Sequence, residues 1–511
     1  MPDTPPDLHN APPPATGRPH LAAALLLAAL PFVVYAPLWS PVGRITLGMD
    51  YPDFQPGQQL LFLQYLRDGY FPLWAPGDAG GVPFAAYFIA QQYSPLTWML
   101  AALDATYDGL QLDLLTLQRL ALLGMSAFFS YLLARRLHLG WLPGLVAGTV
   151  YVFNMRMLDC FRYGSALDAA VWLPALLYLA DRIADRPTLR LALLYALAQH
   201  MLVVSGHTQI AFYAAAFAFA WFLLRTWMLL PPPPARRRRW LYPRVGCILL
   251  ANLFFPWLAD IHSGFYASQA GWILLVGLVA VLLVHRHDLL RQLVPLLIFL
   301  LAILSLCLLY ALGPLTPVGP LVNAALPALK TFRAPGRVMI VGSLAAGLLA
   351  AFAVECLLTC PAARRTLIRV GLASSSIYLL AGALLLAAWA ADLTRWGDLT
   401  HYTRPLWLPL FGHVTENAPA RIHSRPDMIP RMAALVLAVA LLNLAAFTLF
   451  RSRRLPAAAL VMTLAAGALL ETAFYHYRGT YVIPGRYYTP RGDRFKTVDL
   501  YHTRIFDRLS L

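Results

Sequence analysis

Long apolar stretches separated by short clusters of arginine run through nearly the whole of this 511-residue sequence. That alternation constrains the fold more than any motif does. An apolar run of about 20 residues makes a helix long enough to cross a bilayer, and such helices need only brief loops between them. Runs of this kind lie near 21–41, 115–134, 140–155, 167–184, 188–204, 208–230, 241–258, 269–284, 292–312, 337–358, 370–390, 430–450 and 456–474. They predict about thirteen crossings, those at 140–155 and 269–284 being short for the purpose. Only 13% of the residues are charged, against roughly 25% in a soluble domain. A globular core carried by a single anchor is therefore excluded.

The arginines orient the chain. Lysine and arginine collect in cytoplasmic loops, and with the N-terminus inside every second loop should be basic. The basic clusters are Arg135 and Arg136; Arg182, Arg186 and Arg190; Arg236 to Arg239 behind Pro231 to Pro234; Arg286 and Arg291; Arg364, Arg365 and Arg369; and Arg451, Arg453 and Arg454. Each falls on the expected inner side. The same clustering beside apolar runs explains the net charge of +16 without nucleic acid, which would ask for a basic face or stripe. The five cysteines suggest packing thiols rather than a disulfide framework.

Residues 1–20 form a Pro-rich tail expected in the cytoplasm, and 21–41 is too long an apolar run for a signal peptide, so it is expected to remain as the first helix. The first outer loop then spans about 42–114, and loops of that length are usually functional. The segment 87–103 is apolar, but counting it as a crossing would invert every later loop. It is expected outside, along the interface, where Tyr93 and Trp98 are at home. The tail 475–511 is expected on the outer side as well.

The loop opens with Asp50-Tyr51-Pro52-Asp53. Two carboxylates there suit a general base acting on an acceptor hydroxyl, or ligands for a divalent metal such as magnesium or manganese. An interfacial Asp capping the helix that follows is the other reading. Further on stand Leu66-Arg67-Asp68-Gly69-Tyr70-Phe71-Pro72-Leu73-Trp74-Ala75-Pro76, Gly80-Gly81-Val82-Pro83 and Tyr93-Ser94-Pro95-Leu96. Ser205-Gly206-His207-Thr208-Gln209 and Phe332-Arg333-Ala334-Pro335-Gly336-Arg337 come later in the chain.

These runs, in this order over roughly residues 20–360, resemble the YfhO-like family of bacterial membrane proteins within the GT-C class of glycosyltransferases. The resemblance implies an all-α polytopic GT-C-like bundle whose long first outer loop carries amphipathic helices. It implies a polyprenyl-phosphate-linked sugar as donor, an envelope glycan, lipid or protein as acceptor, and a place in the bacterial inner membrane. Asp50 would be the base, and Asp53 a second base or metal aid. Lys330, Arg333 and Arg337 would stabilise the charge that develops on the departing phosphate, since guanidinium forks pair with phosphate oxygens; the other reading is a helix end at the lipid headgroups. His207 and Gln209 would touch the substrate, although a lone histidine is more often a structural hydrogen-bonder. Arg67 and Trp74 belong to the same implied site. Asp159 and Arg162, with Asp168, form a polar outer stretch that could supply a second acid. Glu355 and Glu471 fall in apolar runs but near their ends, within reach of the headgroups.

Two other functions compete. A transporter or flippase of lipid-linked sugars would show an internal repeat and charged or broken helices at mid-membrane. An envelope polysaccharide polymerase or ligase would carry its main outer loop late in the chain.

Overall fold

The computed structural model describes residues 18–36, 45–47, 55–69, 71–74, 91–104, 111–154, 156–157, 160, 164–185, 187–229, 288–312, 316–327, 329, 332, 335–391, 428–478 and 482–484. The protein is α-helical, and among the described residues six helices are long and apolar enough to cross a membrane: Leu114–Arg136, Thr208–Thr226, Val294–Ala311, Pro335–Thr359, Ala363–Leu384 and Ala433–Arg451. Shorter apolar helices are His20–Val34, Trp141–Val152, Leu189–Val204 and Ala457–Leu470. The expected runs at 241–258 and 269–284 lie outside the described residues.

In chain order the helices are α1 (Arg18–Val34), α2 (Gln55–Arg67), α3 (Pro95–Asp104), α4 (Gln111–Arg136), α5 (Trp141–Val152), α6 (Gly164–Ala170), α7 (Leu173–Asp185), α8 (Leu189–Val204), α9 (Thr208–Leu229), α10 (Asp288–Ala311), α11 (Val318–Ala325), α12 (Met339–Thr359), α13 (Pro361–Ala391), α14 (Met428–Arg451) and α15 (Ala457–Arg478). One expected crossing is not a single helix. The run 167–184 is divided at Val171 and Trp172 between α6 and α7. Pro174 explains the break, because proline has no N–H to donate and its ring clashes with the carbonyl four residues back. With 13 residues, α7 rises about 20 Å, short of the roughly 30 Å hydrocarbon layer.

Two compact units make up the chain. The first comprises Met1–Ala24, Ser130–Arg156 and Trp227–Tyr475. Its centre is α12, buried along nearly its whole length and packed against α5, α10 and α13, while α13 lies along α14. Small residues allow these approaches. A Cβ on Gly347 of α12 would stand 3.1 Å from the Ala147 carbonyl oxygen of α5. One on Gly371 of α13 would stand 2.4 Å from the Phe447 ring of α14.

Three of the basic clusters meet at one end of this unit. The Arg364 guanidinium donates to the Leu357 and Leu358 carbonyls at 3.1 and 3.0 Å, satisfying the last turn of α12, and lies 5.8 Å over the Phe450 ring at the end of α14. Glu355 accepts from the Gly140 N–H at 2.6 Å, next to the N-terminus of α5, where a carboxylate complements the helix dipole. Arg135 donates to the Leu139 carbonyl beside it.

The second unit comprises Leu25–Phe129, Met157–Thr226 and His476–Leu511. Here α8 and α9 are joined by a turn at Ser205, Gly206 and His207, with Gly206 in the left-handed region at φ 84°, a conformation glycine adopts without strain. Leu63 of α2, Leu100 of α3 and Leu115 of α4 share a small core. Strand β1 (Ile45–Leu47) pairs antiparallel with β2 (Val482–Pro484). The beginning of the first loop and the C-terminal tail therefore lie on the same side of any membrane the chain crosses.

Candidate functional site

A charge inside an apolar helix requires a partner, and α4 carries one. Arg119 is 1% exposed and lies five residues, about 7–8 Å, into the candidate span that begins at Leu114. Its Nη2 donates to Gln59 Oε1 of α2 at 3.0 Å. Gln59 Nε2 donates in turn to Gln91 Oε1 at 2.9 Å. Gln91 Nε2 donates to Asp168 Oδ2 of α6 at 2.5 Å and to the Ser205 carbonyl at 3.3 Å. The Asp168 carboxylate lies 3.7 Å from Arg119 Nε, and the ring closes.

Four buried side chains from four segments thus form one network, with one cation set against one anion. Enclosed pairs are held by the further hydrogen bonds made to them, and here Gln59 bonds to Arg119 Nη2 and Gln91 to Asp168 Oδ2. Gln91 is held in the left-handed region at φ 53°. A residue with a side chain adopts that conformation only when its surroundings dictate it, and such residues cluster at functional sites. The network fixes the first loop at two points, Gln59 and Gln91, against helices of the bundle.

A second charge pair lies near the C-terminal end of α9, where the half-buried Arg225 donates to the buried Asp181 of α7. Asp168 lies near the start of the interrupted run 167–184, and Asp181 lies near the end of α7. Both charge pairs therefore sit toward helix ends. Around the Gln91 turn the loop is aromatic: Phe62, Phe71 and Trp98 pack with ring centroids 5.6–6.3 Å apart, and Tyr93 stands 6.1 Å from Phe71.

Among the residues expected at the site, Asp50, Asp53, Asp159, Arg162, Lys330 and Arg333 lie outside the described residues. Arg337 is half-buried, in a 3-10 turn, Pro335–Val338, that leads into α12 of the first unit. His207 has a clear local role. Its Nδ1 accepts from the Ile210 N–H at 3.3 Å, which makes it the N-cap of α9. Gln209 is buried and donates to the Tyr213 hydroxyl at 3.2 Å. Arg67 is exposed at the end of α2, and Trp74 is exposed in the segment that follows. The Ser205–Gln209 motif reaches the network through the Ser205 carbonyl. Among the described residues no group of three His, Cys, Asp or Glu side chains is placed to hold a metal.

Arg119, Gln59 and Gln91 are functional candidates that motif reading passed over. Arg119 carried a usable signal, since an ionisable residue within an apolar run is a site hypothesis by default. Glutamines in a loop carry no comparable signal. No family model matches this chain, no curated protein matches it, and no solved structure matches it.

Proposed function

We propose that this chain is a membrane glycosyltransferase that moves a sugar from a polyprenyl-phosphate donor to an envelope acceptor on the outer face of the bacterial inner membrane. In this reading the chain crosses about thirteen times, with its N-terminus in the cytoplasm and its C-terminus outside. Asp50 takes the proton from the acceptor hydroxyl as that oxygen attacks the anomeric carbon. The bond from the sugar to the phosphate oxygen breaks on the opposite face, so the configuration inverts. Lys330, Arg333 and Arg337 receive the charge on the departing phosphate, and Asp53 is a second acid for the base or cation-holding role. A single displacement requires one base, charge stabilisation and a fixed geometry.

The observation that carries the reading is the closed network of Gln59, Gln91, Arg119 and Asp168. It anchors the long loop bearing Asp50 and Asp53 to the bundle, and a loop that carries a catalytic acid must be held to a fraction of an ångström.

A transporter of lipid-linked sugars is the second reading, favoured by the interrupted α6–α7 helix and the charge pairs Arg119–Asp168 and Arg225–Asp181. Their places toward helix ends, rather than at mid-membrane, weigh for the transferase. The deciding experiment replaces Asp50 by Asn, verifies normal membrane insertion, and analyses envelope glycans together with the lipid-linked donor pool. The transferase reading expects one sugar missing and donor accumulating on the outer leaflet. Donor accumulating on the inner leaflet supports the transporter, and unchanged glycans with an unchanged donor pool reject both.

A further inference from the structure

Helix α3 has ten residues, a rise of about 15 Å, half of what a crossing needs. It is nonetheless apolar on both sides. Its inner side, Thr97 and Leu100, is buried against the core shared with α2 and α4. Its outer side, Trp98, Met99 and Leu103, is 46–60% exposed. No charged residue occurs on it before Asp104 at its end. A helix meeting water would alternate its apolar face with a polar one, and α3 does not.

Two further observations identify what covers the outer side. The Trp98 Nε1–H already donates to the Gln92 carbonyl at 2.8 Å, so the exposed indole needs no water or headgroup partner and can lie in hydrocarbon. The surface also continues into a face of bilayer character. His200 Nε2 is 3.3 Å from the Tyr93 carbonyl, which joins the end of α8 to the turn before α3. Below His200 on α8, exposed Leu189, Leu193 and Leu197 recur every fourth residue as one leucine stripe. Leucines along a helix capped by a His–Tyr level reproduce the order of hydrocarbon followed by interface.

We infer that α3 dips into the bilayer as a half-helix, with Trp98, Met99 and Leu103 against lipid acyl chains and Tyr93 and His200 at headgroup level. The Gln91 turn, which closes just before α3 with the Ser94 N–H donating to the Gln91 carbonyl at 2.9 Å, is then pinned between lipid on one side and the Arg119–Asp168 network on the other. The surface is a lipid contact whichever reaction the chain performs.

The test uses the full chain in lipid nanodiscs of phosphatidylethanolamine and phosphatidylglycerol, with spin labels on M99C and L103C and relaxation by oxygen and by a water-soluble nickel chelate. L193C on α8 serves as the lipid reference and D68C, in the exposed turn after α2, as the water reference. Labels at 99 and 103 should match L193C, with oxygen relaxation retained and nickel relaxation lost. Nickel relaxation equal to that of D68C overturns the inference in favour of a water-facing helix. Immobilised labels reached by neither reagent overturn it in favour of a second protein chain on this face. Circular dichroism of each variant verifies that the helices are retained.

Discussion

Arg119 and Asp168 stand 3.7 Å apart with side chains 2% and 8% exposed, one on a long apolar helix and the other on a seven-residue helix far along the sequence. The pair is valuable for what it prevents. Either charge alone in that place would be enclosed without compensation, so the two helices and the loop glutamines between them are obliged to stay together.

Removing one partner therefore does more harm than removing both. Asp168→Leu is expected to destabilise the protein by about 3–5 kcal/mol, because it strands the guanidinium, while Arg119→Met with Asp168→Leu should lose markedly less. Unfolding of the purified protein in micelles, arranged as a double-mutant cycle, measures the coupling. If the double variant loses as much as the two single losses added together, the charges are not coupled.

The N-cap geometry of His207 separates its structural role from any role toward substrate. His207→Ala should lower stability by about 1 kcal/mol, and His207→Asn, which caps equally well, should restore it. Thermal unfolding gives the first comparison and envelope sugar content the second. A stable His207→Asn protein that adds no sugar would assign the imidazole to substrate, whereas full activity would confine it to capping.

Helices α13 and α14 approach as closely as they do because Gly371 offers no side chain to Phe447. Gly371→Leu should cost about 1–3 kcal/mol by overpacking, and a second change, Phe447→Ala, should recover part of that loss by vacating the same space. Gly124→Ala in α4 has no such remedy: its Cβ would stand 2.2 Å from the backbone oxygen of Ala28. Chemical denaturation of the three variants orders the effects. Equal losses with and without Phe447→Ala would contradict the packing account.

The proposed orientation has its own check. Cysteines at Arg365 and Ser452 occupy the end of the first unit where the basic clusters gather, and Asp68 lies in the first loop. A membrane-impermeant maleimide given to intact cells should modify D68C and spare R365C and S452C until the membrane is opened. Cys160, Cys307, Cys356 and Cys360 are buried and contribute little background. Reaction of S452C in intact cells would invert the topology.

Apolar runs and arginine clusters were sufficient to read a polytopic helical membrane protein from the sequence, because hydrophobic length and flanking charge are local properties that the bilayer acts on directly. Among the described residues ten expected runs appear as single helices, and Pro174 could have warned that 167–184 would break. The polar network was illegible for a different reason. Gln59, Gln91, Arg119 and Asp168 are scattered over more than a hundred residues, and nothing in the spacing of a glutamine says which helix end it will meet. The motif of His207 points to a substrate contact, and its bond to the start of its own helix is visible only in the structure. Sequence determined which segments must leave water; only tertiary packing decided which polar groups went with them, since a buried charge chooses its partner by proximity in space and not by order along the chain.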